Sequence, residues 1–194
     1  MSRTTLRELN GLDDTPAKLA DSTLILIDFQ NTYTQGVMEL DGWEESLEAA
    51  ARLLQRAREA GTKVVHVMHD GGEGTPYDIR AEIGQIHPRV APVEGEPVVV
   101  KEAPNSFHGT DLDQHVPEGQ DVVIAGWMTH MCVAFTAQGA FLRGNRPTVA
   151  ADATATRSLP VAGTDIDSRQ VYYSALATIA DLYGVVVPHE KDIV

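Results

Sequence analysis

Three residue types able to break an acyl bond together each stand after an apolar run in this chain of 194 residues. Asp28 follows Leu24-Ile25-Leu26-Ile27, Lys101 follows Val98-Val99-Val100, and Cys132 ends the segment Gly126-Trp127-Met128-Thr129-His130-Met131-Cys132 that continues Asp121-Val122-Val123-Ile124-Ala125. A carboxylate, an amine and a thiol gathered at one point make a nucleophile with its base and its charge stabiliser. Each also has an ordinary reading. A lone cysteine is more often a small buried hydrophobe, aspartate at a strand end often serves a turn, and lysine often blunts a sheet edge. Position favours chemistry for Cys132: Thr129 reads as the N-cap of a following helix, which places the sulfur in the first turn, where helix dipole and nearby Lys101 are expected to lower the thiol pKa.

The elements that must deliver these residues alternate. Apolar runs predict strands at 24–28, 63–68, 98–101, 121–125, 148–151 and 185–187. Between them lie helical patterns: Trp43 to Ala60, with Leu47, Ala50, Ala51, Leu54 and Ala57 on one face; Met131 to Arg143; and Ser168 to Tyr183, with Val171, Ser174, Ala175, Thr178, Ile179 and Leu182 inward. Asp41 with Glu44 marks the start of the first helix and Gly61 its stop. Such alternation predicts a three-layer α/β/α, Rossmann-like single domain around a six-stranded, mainly parallel sheet, with ligands beyond the carboxyl ends of the strands. Residues 1–21 read as a polar N-terminal arm over the domain or over a neighbouring subunit, and residues 22–194 as the domain itself. The stretch from His69 to Glu96 is a long Gly- and Pro-rich loop, a length that is usually functional.

Composition narrows the partners. A net charge of −13, with no basic stripe, argues against nucleic acid and suits small neutral or cationic substrates. No apolar run reaches the roughly 20 residues of a membrane span. The N-terminus lacks the apolar stretch of a signal peptide, and a single cysteine forms no internal disulfide, so the expected location is the cytoplasm.

Asp28-Phe29-Gln30, Lys101, Gly126 to Val133 and Asp152-Ala153-Thr154-Ala155-Thr156, in this order and spacing, resemble the isochorismatase-like cysteine hydrolases, over about residues 22 to 187. That resemblance implies a strand order 3-2-1-4-5-6. It implies a catalytic triad in which Asp28 moves the thiol proton, Lys101 stabilises charge and Cys132 attacks a carbonyl to form a thioester. It also implies a cis peptide between Trp127 and Met128, an oxyanion hole from the N–H groups of Met128 and Cys132, and a homodimer or homotetramer. With strands one and three about 10 Å apart, Lys101 must reach across the intervening strand. Pocket candidates are Phe29, Gln30, Tyr33, Phe107, Trp127 and His130; Phe29 and Phe107 read equally well as core aromatics, whereas tryptophan is rarely fully buried.

The sequence departs from nicotinamidases, which bind a metal through Asp-x-His and a second His. Here the stretch reads His66-Val67-Met68-His69-Asp70, so no metal and no other cofactor is expected. His130, where nicotinamidases usually carry Asp, places the chain nearer the metal-free, streptothricin hydrolase-like amidases. Retention of Cys132 favours hydrolysis of a small-molecule amide. The competing readings are vinyl-ether hydrolysis of the isochorismatase type, a catalytically silent binding protein on the same fold, and a redox protein using Cys132 without a resolving partner.

Overall fold

Each expected apolar run becomes a strand. The computed structural model describes residues 4–194; Met1, Ser2 and Arg3 of the expected arm lie outside the described residues. In chain order the elements are α1 (Leu6–Leu9), β1 (Ser22–Ile27), α2 (Trp43–Glu59), β2 (Lys63–His69), β3 (Val98–Lys101), α3 (Leu112–His115), β4 (Asp121–Trp127), α4 (Ala134–Leu142), β5 (Arg146–Ala155), β6 (Leu159–Val161), β7 (Thr164–Ile166), α5 (Ser168–Thr178) and β8 (Val185–Val187). The main sheet has six strands in the order β3-β2-β1-β4-β5-β8, all pairs parallel, which is the order the resemblance implies. Direction reverses between β1 and β4, the switch point where such sheets open a crevice.

Two cores flank the sheet. One lies under α2 and holds Leu24, Leu26, Leu47, Leu53, Leu54, Val123 and Trp127. The other packs Ile25, Ile27, Val67, Val122 and Ile124 against Leu112, Val133, Ala137 and Leu176 from the helices of the opposite face. β1 is buried at every position, because a central parallel strand has helices on both sides.

Several local expectations are corrected. The N-cap of α2 is Gly42 at φ 73°, not Asp41, whose N–H donates to the Thr156 carbonyl at 3.0 Å. Gly61 ends the helix at φ 71°, as expected. β5 runs well past its expected end, since the β4–β5 register shifts between Ile124 and Gly126 and re-forms as Gly126 with Thr154 and Trp127 with Ala155. Gly126 is required there: with φ 154°, a Cβ on it would meet the Ile27 carbonyl oxygen at 2.4 Å. A hairpin, β6–β7, also appears where no strand was expected; its turn takes Ala162 and Gly163 to φ 49° and 77°, the pattern of a two-residue type I′ turn. On α5, Ser174 and Thr178 are exposed rather than inward, and Leu176 is buried instead.

The expected loop packs on its own domain. Ile86 bridges to Gln30, the Asn31 N–H donates to Gln85 O at 2.9 Å, and the His87 N–H donates to Phe29 O at 2.7 Å. The N-terminal segment does likewise, through Ala17 N–H to Thr148 Oγ1 at 2.9 Å and Leu19 N–H to Val194 O at 2.7 Å. Among the described residues no helix is long and apolar enough to cross a membrane.

Candidate active site

Asp28 leaves β1 in the left-handed region, φ 54°, a conformation rare for a residue with a Cβ. Two hydrogen bonds hold it there: its N–H donates to Val67 O at 2.9 Å, and its carbonyl accepts from Gln30 N–H at 2.7 Å. The turn releases the side chain from strand alternation and aims it along the sheet's upper edge. Lys101 ends β3 opposite His69 of β2. Its stem crosses β2, so the expected reach is made: Nζ stands 2.7 Å from Asp28 Oδ2, with both side chains fully buried.

The same ammonium donates to Cys132 Sγ at 3.3 Å and to His69 Nδ1 at 3.5 Å. It thus faces a carboxylate, a thiol and an imidazole at once. Burial alone would push Lys101 toward its neutral form; Asp28 first and then Cys132 outweigh it and hold the ammonium above its usual range. Burial first and Lys101 second hold His69 below its usual range, which leaves the imidazole neutral with a lone pair to offer. The Asp28 pair has ion-pair distance without the angles of a directed hydrogen bond, and neither carboxylate oxygen has a hydrogen-bond donor among the described residues. Those lone pairs are open to a proton.

Cys132 lies in a π-helical turn, Thr129–Val133, that precedes α4. The Met128 carbonyl accepts from both Met131 N–H at 3.0 Å and Val133 N–H at 3.2 Å, the second being the wide bond of that geometry. The Trp127–Met128 peptide is cis, as the resemblance implies. Thr129 is not an N-cap: Met128 occupies that position, and the Thr129 hydroxyl is buried without a partner. The expected thiol acidity is corrected as well. Burial and then Asp28 push the Cys132 pKa far up, and Lys101 offsets only part of this. In the free protein the sulfur is a thiol beside a carboxylate–ammonium pair.

The pocket candidates divide. Tyr33 stacks edge-on with Trp127 and Tyr77, and Phe29 with Trp127, at 5.9, 5.7 and 4.7 Å between centroids. Trp127 is fully buried and donates Nε1–H to Ser46 Oγ at 2.8 Å, so it is a core wall rather than an exposed contact. Gln30 is also fully buried; its amide N–H groups donate to His69 O and Gly84 O, and its oxygen accepts from His69 N–H, which makes it a brace between β1, β2 and the loop. Phe107 packs under the Arg143 guanidinium, 4.9 Å from the ring centre. Its neighbour Ser106 is anchored one turn from Cys132, the Ser106 N–H donating to Thr136 Oγ1 at 3.0 Å. His130 is half-buried beside the site, its Nδ1 2.5 Å from Thr156 Oγ1, and burial then Arg157 lower its pKa.

Sequence reasoning missed Tyr77. The loop lays its ring edge-on against His69 at 5.1 Å. Burial, and more weakly the charges of Cys132 and Asp28, raise the phenol's pKa. A tyrosine in a loop without periodicity carries no signal of where the loop folds back. His66 and His69 lie three residues apart on one strand and face opposite sides; His66 pairs with Glu96 at 2.9 Å, and Asp70 is engaged by Arg80 at 3.0 Å. Among the described residues no three His, Cys, Asp or Glu side chains are gathered to hold a metal ion.

Comparison with known proteins agrees with this geometry. The pattern of the isochorismatase domain matches residues 22–187. The chain superposes on the crystal structure of an isochorismatase from Pseudomonas putida KT2440 with a TM-score of 0.94 and 36% identity, covering 100% of both chains. It is 34% identical to a secreted isochorismatase effector of Verticillium dahliae over 96% of this chain and 97% of that protein. A streptothricin hydrolase of Streptomyces noursei is 32% identical over 72% of this chain and 56% of its own length. A maleamate amidohydrolase of Pseudomonas putida is 31% identical over 69% and 72%.

Proposed function

The chain belongs to the isochorismatase family of hydrolases, and from that premise we propose that it cleaves the C–N bond of a small-molecule amide through a thioester on Cys132. The observation that carries this reading is the convergence of Cys132, Lys101 and Asp28 within 3.3 and 2.7 Å at the switch point of the sheet. Because the resting sulfur is a protonated thiol, attack on the carbonyl requires a base beside it. Asp28 takes the proton as the S–C bond forms, and the resulting charge on the carbonyl oxygen is met by the N–H groups of Met128 and Cys132. Lys101, already charged, stabilises the sulfur as it loses its proton. Asp28 then gives the proton to the leaving nitrogen as the C–N bond breaks. A water, deprotonated by Asp28, cleaves the thioester, and the proton returns to sulfur with the acid released.

A vinyl ether needs protonation but no sulfur nucleophile, so the thiol built into this constellation supports amide over vinyl-ether cleavage. A relative that is a maleamate amidohydrolase supports the same bond. A cytoplasmic location belongs to the same reading, since a reducing compartment keeps a thiol nucleophile reduced; the secreted relative shows that the family is not confined to it. The test is a screen of small primary amides, cyclic amides and isochorismate with wild-type and Cys132→Ala protein. Cys132-dependent release of ammonia or an amine is expected, with loss of at least roughly a thousandfold in the variant. Pyruvate released equally by both proteins would replace this reading with vinyl-ether hydrolysis.

A further inference from the structure

Resting on that amide reading, we infer that His69 is a positioning residue: its neutral imidazole holds an N–H of Lys101 and so keeps the ammonium from closing onto the carboxylate that must act as base. His69 is the last residue of β2 and lies beside Lys101 in the β2–β3 register. Strand alternation puts it on the face of Val65 and Val67, the face against which Cys132 packs. One side chain pins its backbone from both directions, since the His69 N–H donates to Gln30 Oε1 and the His69 carbonyl accepts from Gln30 Nε2, both at 2.9 Å. The Tyr77 ring stands edge-on against the imidazole.

An ammonium has no lone pair, so in the 3.5 Å contact Lys101 Nζ donates and His69 Nδ1 accepts. That fixes the tautomer: the ring proton is on Nε2. Lys101 makes directed bonds to two atoms, Cys132 Sγ and His69 Nδ1, whereas Asp28 Oδ2 at 2.7 Å meets it as an ion. Both Asp28 oxygens stay without a donor. An ammonium N–H buried without an acceptor is costly, and Asp28 Oδ2 is the lone-pair carrier close enough to replace Nδ1. An oxygen that already accepts an N–H is less free to take the thiol proton. His69 thus guards the base without touching it.

The arrangement works only while the ring is neutral. Protonation at Nδ1 removes the acceptor and sets a second cation 3.5 Å from Lys101. The titratable groups around the ring are Lys101 and Glu102 at the end of β3, Asp28 after β1, Asp70 next to it in the chain, Tyr77 of the loop, and Cys132 across Lys101. Burial first and Lys101 second favour the neutral ring; Asp28, Asp70 and Glu102 oppose them, and the balance lies below 6.5. Above that lowered value the bond to Lys101 stands, and turnover should fall as pH drops through it.

Two variants separate holding from filling. His69→Asn sets an amide oxygen where Nδ1 stood, an acceptor that does not titrate, and His69→Leu fills the space with none. On the amide hydrolysed fastest in the screen, His69→Leu should lose about tenfold or more in kcat, the scale of one hydrogen bond to a charged group, with KM little changed. His69→Asn should recover most of that loss, and its acid limb should lie at lower pH than that of the wild type. Melting curves check that both variants fold. Independently of turnover, NMR of the wild-type ring nitrogens at pH 7 should show Nε2 protonated and Nδ1 bare. A ring protonated on Nδ1 at pH 7, wild-type kcat in His69→Leu, no recovery in His69→Asn, or an acid limb that His69→Asn leaves in place overturns the inference. Failure of the amide reading shows separately, as absence of Cys132-dependent release from every amide, and the ring signals then still decide whether His69 accepts from Lys101.

Discussion

At the scale of single residues the site is governed by one ammonium that holds a thiol, a carboxylate and an imidazole together. Since Asp28 is the second cause, after burial, of the raised Cys132 pKa, Asp28→Asn should act in two directions. Amide turnover should fall by roughly 10²–10⁴-fold, the range for a lost general acid–base. Yet alkylation by iodoacetamide at neutral pH should become faster, because removing the negative charge lets Lys101 favour thiolate. A labelling rate that is unchanged or slower would show that Asp28 does not face the sulfur. With His66 and His69 on opposite faces of β2, activity should also survive prolonged dialysis against EDTA. Loss of activity that zinc, iron or manganese restores would contradict this.

At the scale of elements, the long loop between β2 and β3 is tied at its far end by Glu96. That carboxylate takes both arms of Arg58, at 2.7 and 2.8 Å, and the His66 ring at 2.9 Å. Burial would raise its pKa, but Arg58, the Val93 N–H and His66 outweigh it and hold Glu96 down to about 2. A carboxyl depressed in the folded state stabilises above its ordinary pKa, near 4.5, and loses that contribution as pH falls toward 2. The melting temperature of the wild type should therefore drop across this window. Glu96→Gln should melt lower at pH 7 and show a shallower drop; parallel curves would refute the linkage. Strand ends such as Asp28 and Lys101 were legible in the sequence because continuous apolar runs stop at them. Leu159-Pro160-Val161 was not, being three residues with a proline, and neither was the second half of β5, where Ala-Ala-Asp-Ala-Thr-Ala has little strand preference. Nor does sequence show which way a ring turns: Trp127 faces Ser46, and Phe107 faces Arg143. The acidity expected of Cys132 failed for the same reason, since the depth of burial outweighs helix position.

At the scale of the whole molecule, part of the exposed apolar surface lies on α4, α5 and the hairpin. Phe135 and Leu142 of α4, Val161 of the hairpin and Tyr173 of α5 are 45%, 73%, 57% and 57% exposed. A groove of about 640 Å³ runs between hairpin and helices, lined by Leu159, Ile166, Val171 and Ala175 and reaching His130. A contiguous apolar surface of this kind marks an interface, and closed symmetric pairs are the commonest solution. We expect a dimer or tetramer by light scattering, and a shift toward monomer for Val161→Asp. A mass near 21.0 kDa at micromolar concentration would refute it. Asp28, Lys101 and Cys132 come from well-separated points in the chain, with β3 on the outside of β2 in the finished sheet. Contacts of such long range must overcome the entropy of closing the intervening chain. A nascent or partly unfolded chain thus carries an ordinary, unassisted sulfhydryl, and hydrolytic competence arrives in one step with the finished sheet. In a urea titration, catalysis should vanish at the same midpoint as the secondary structure, which makes turnover a direct gauge of the fully folded population.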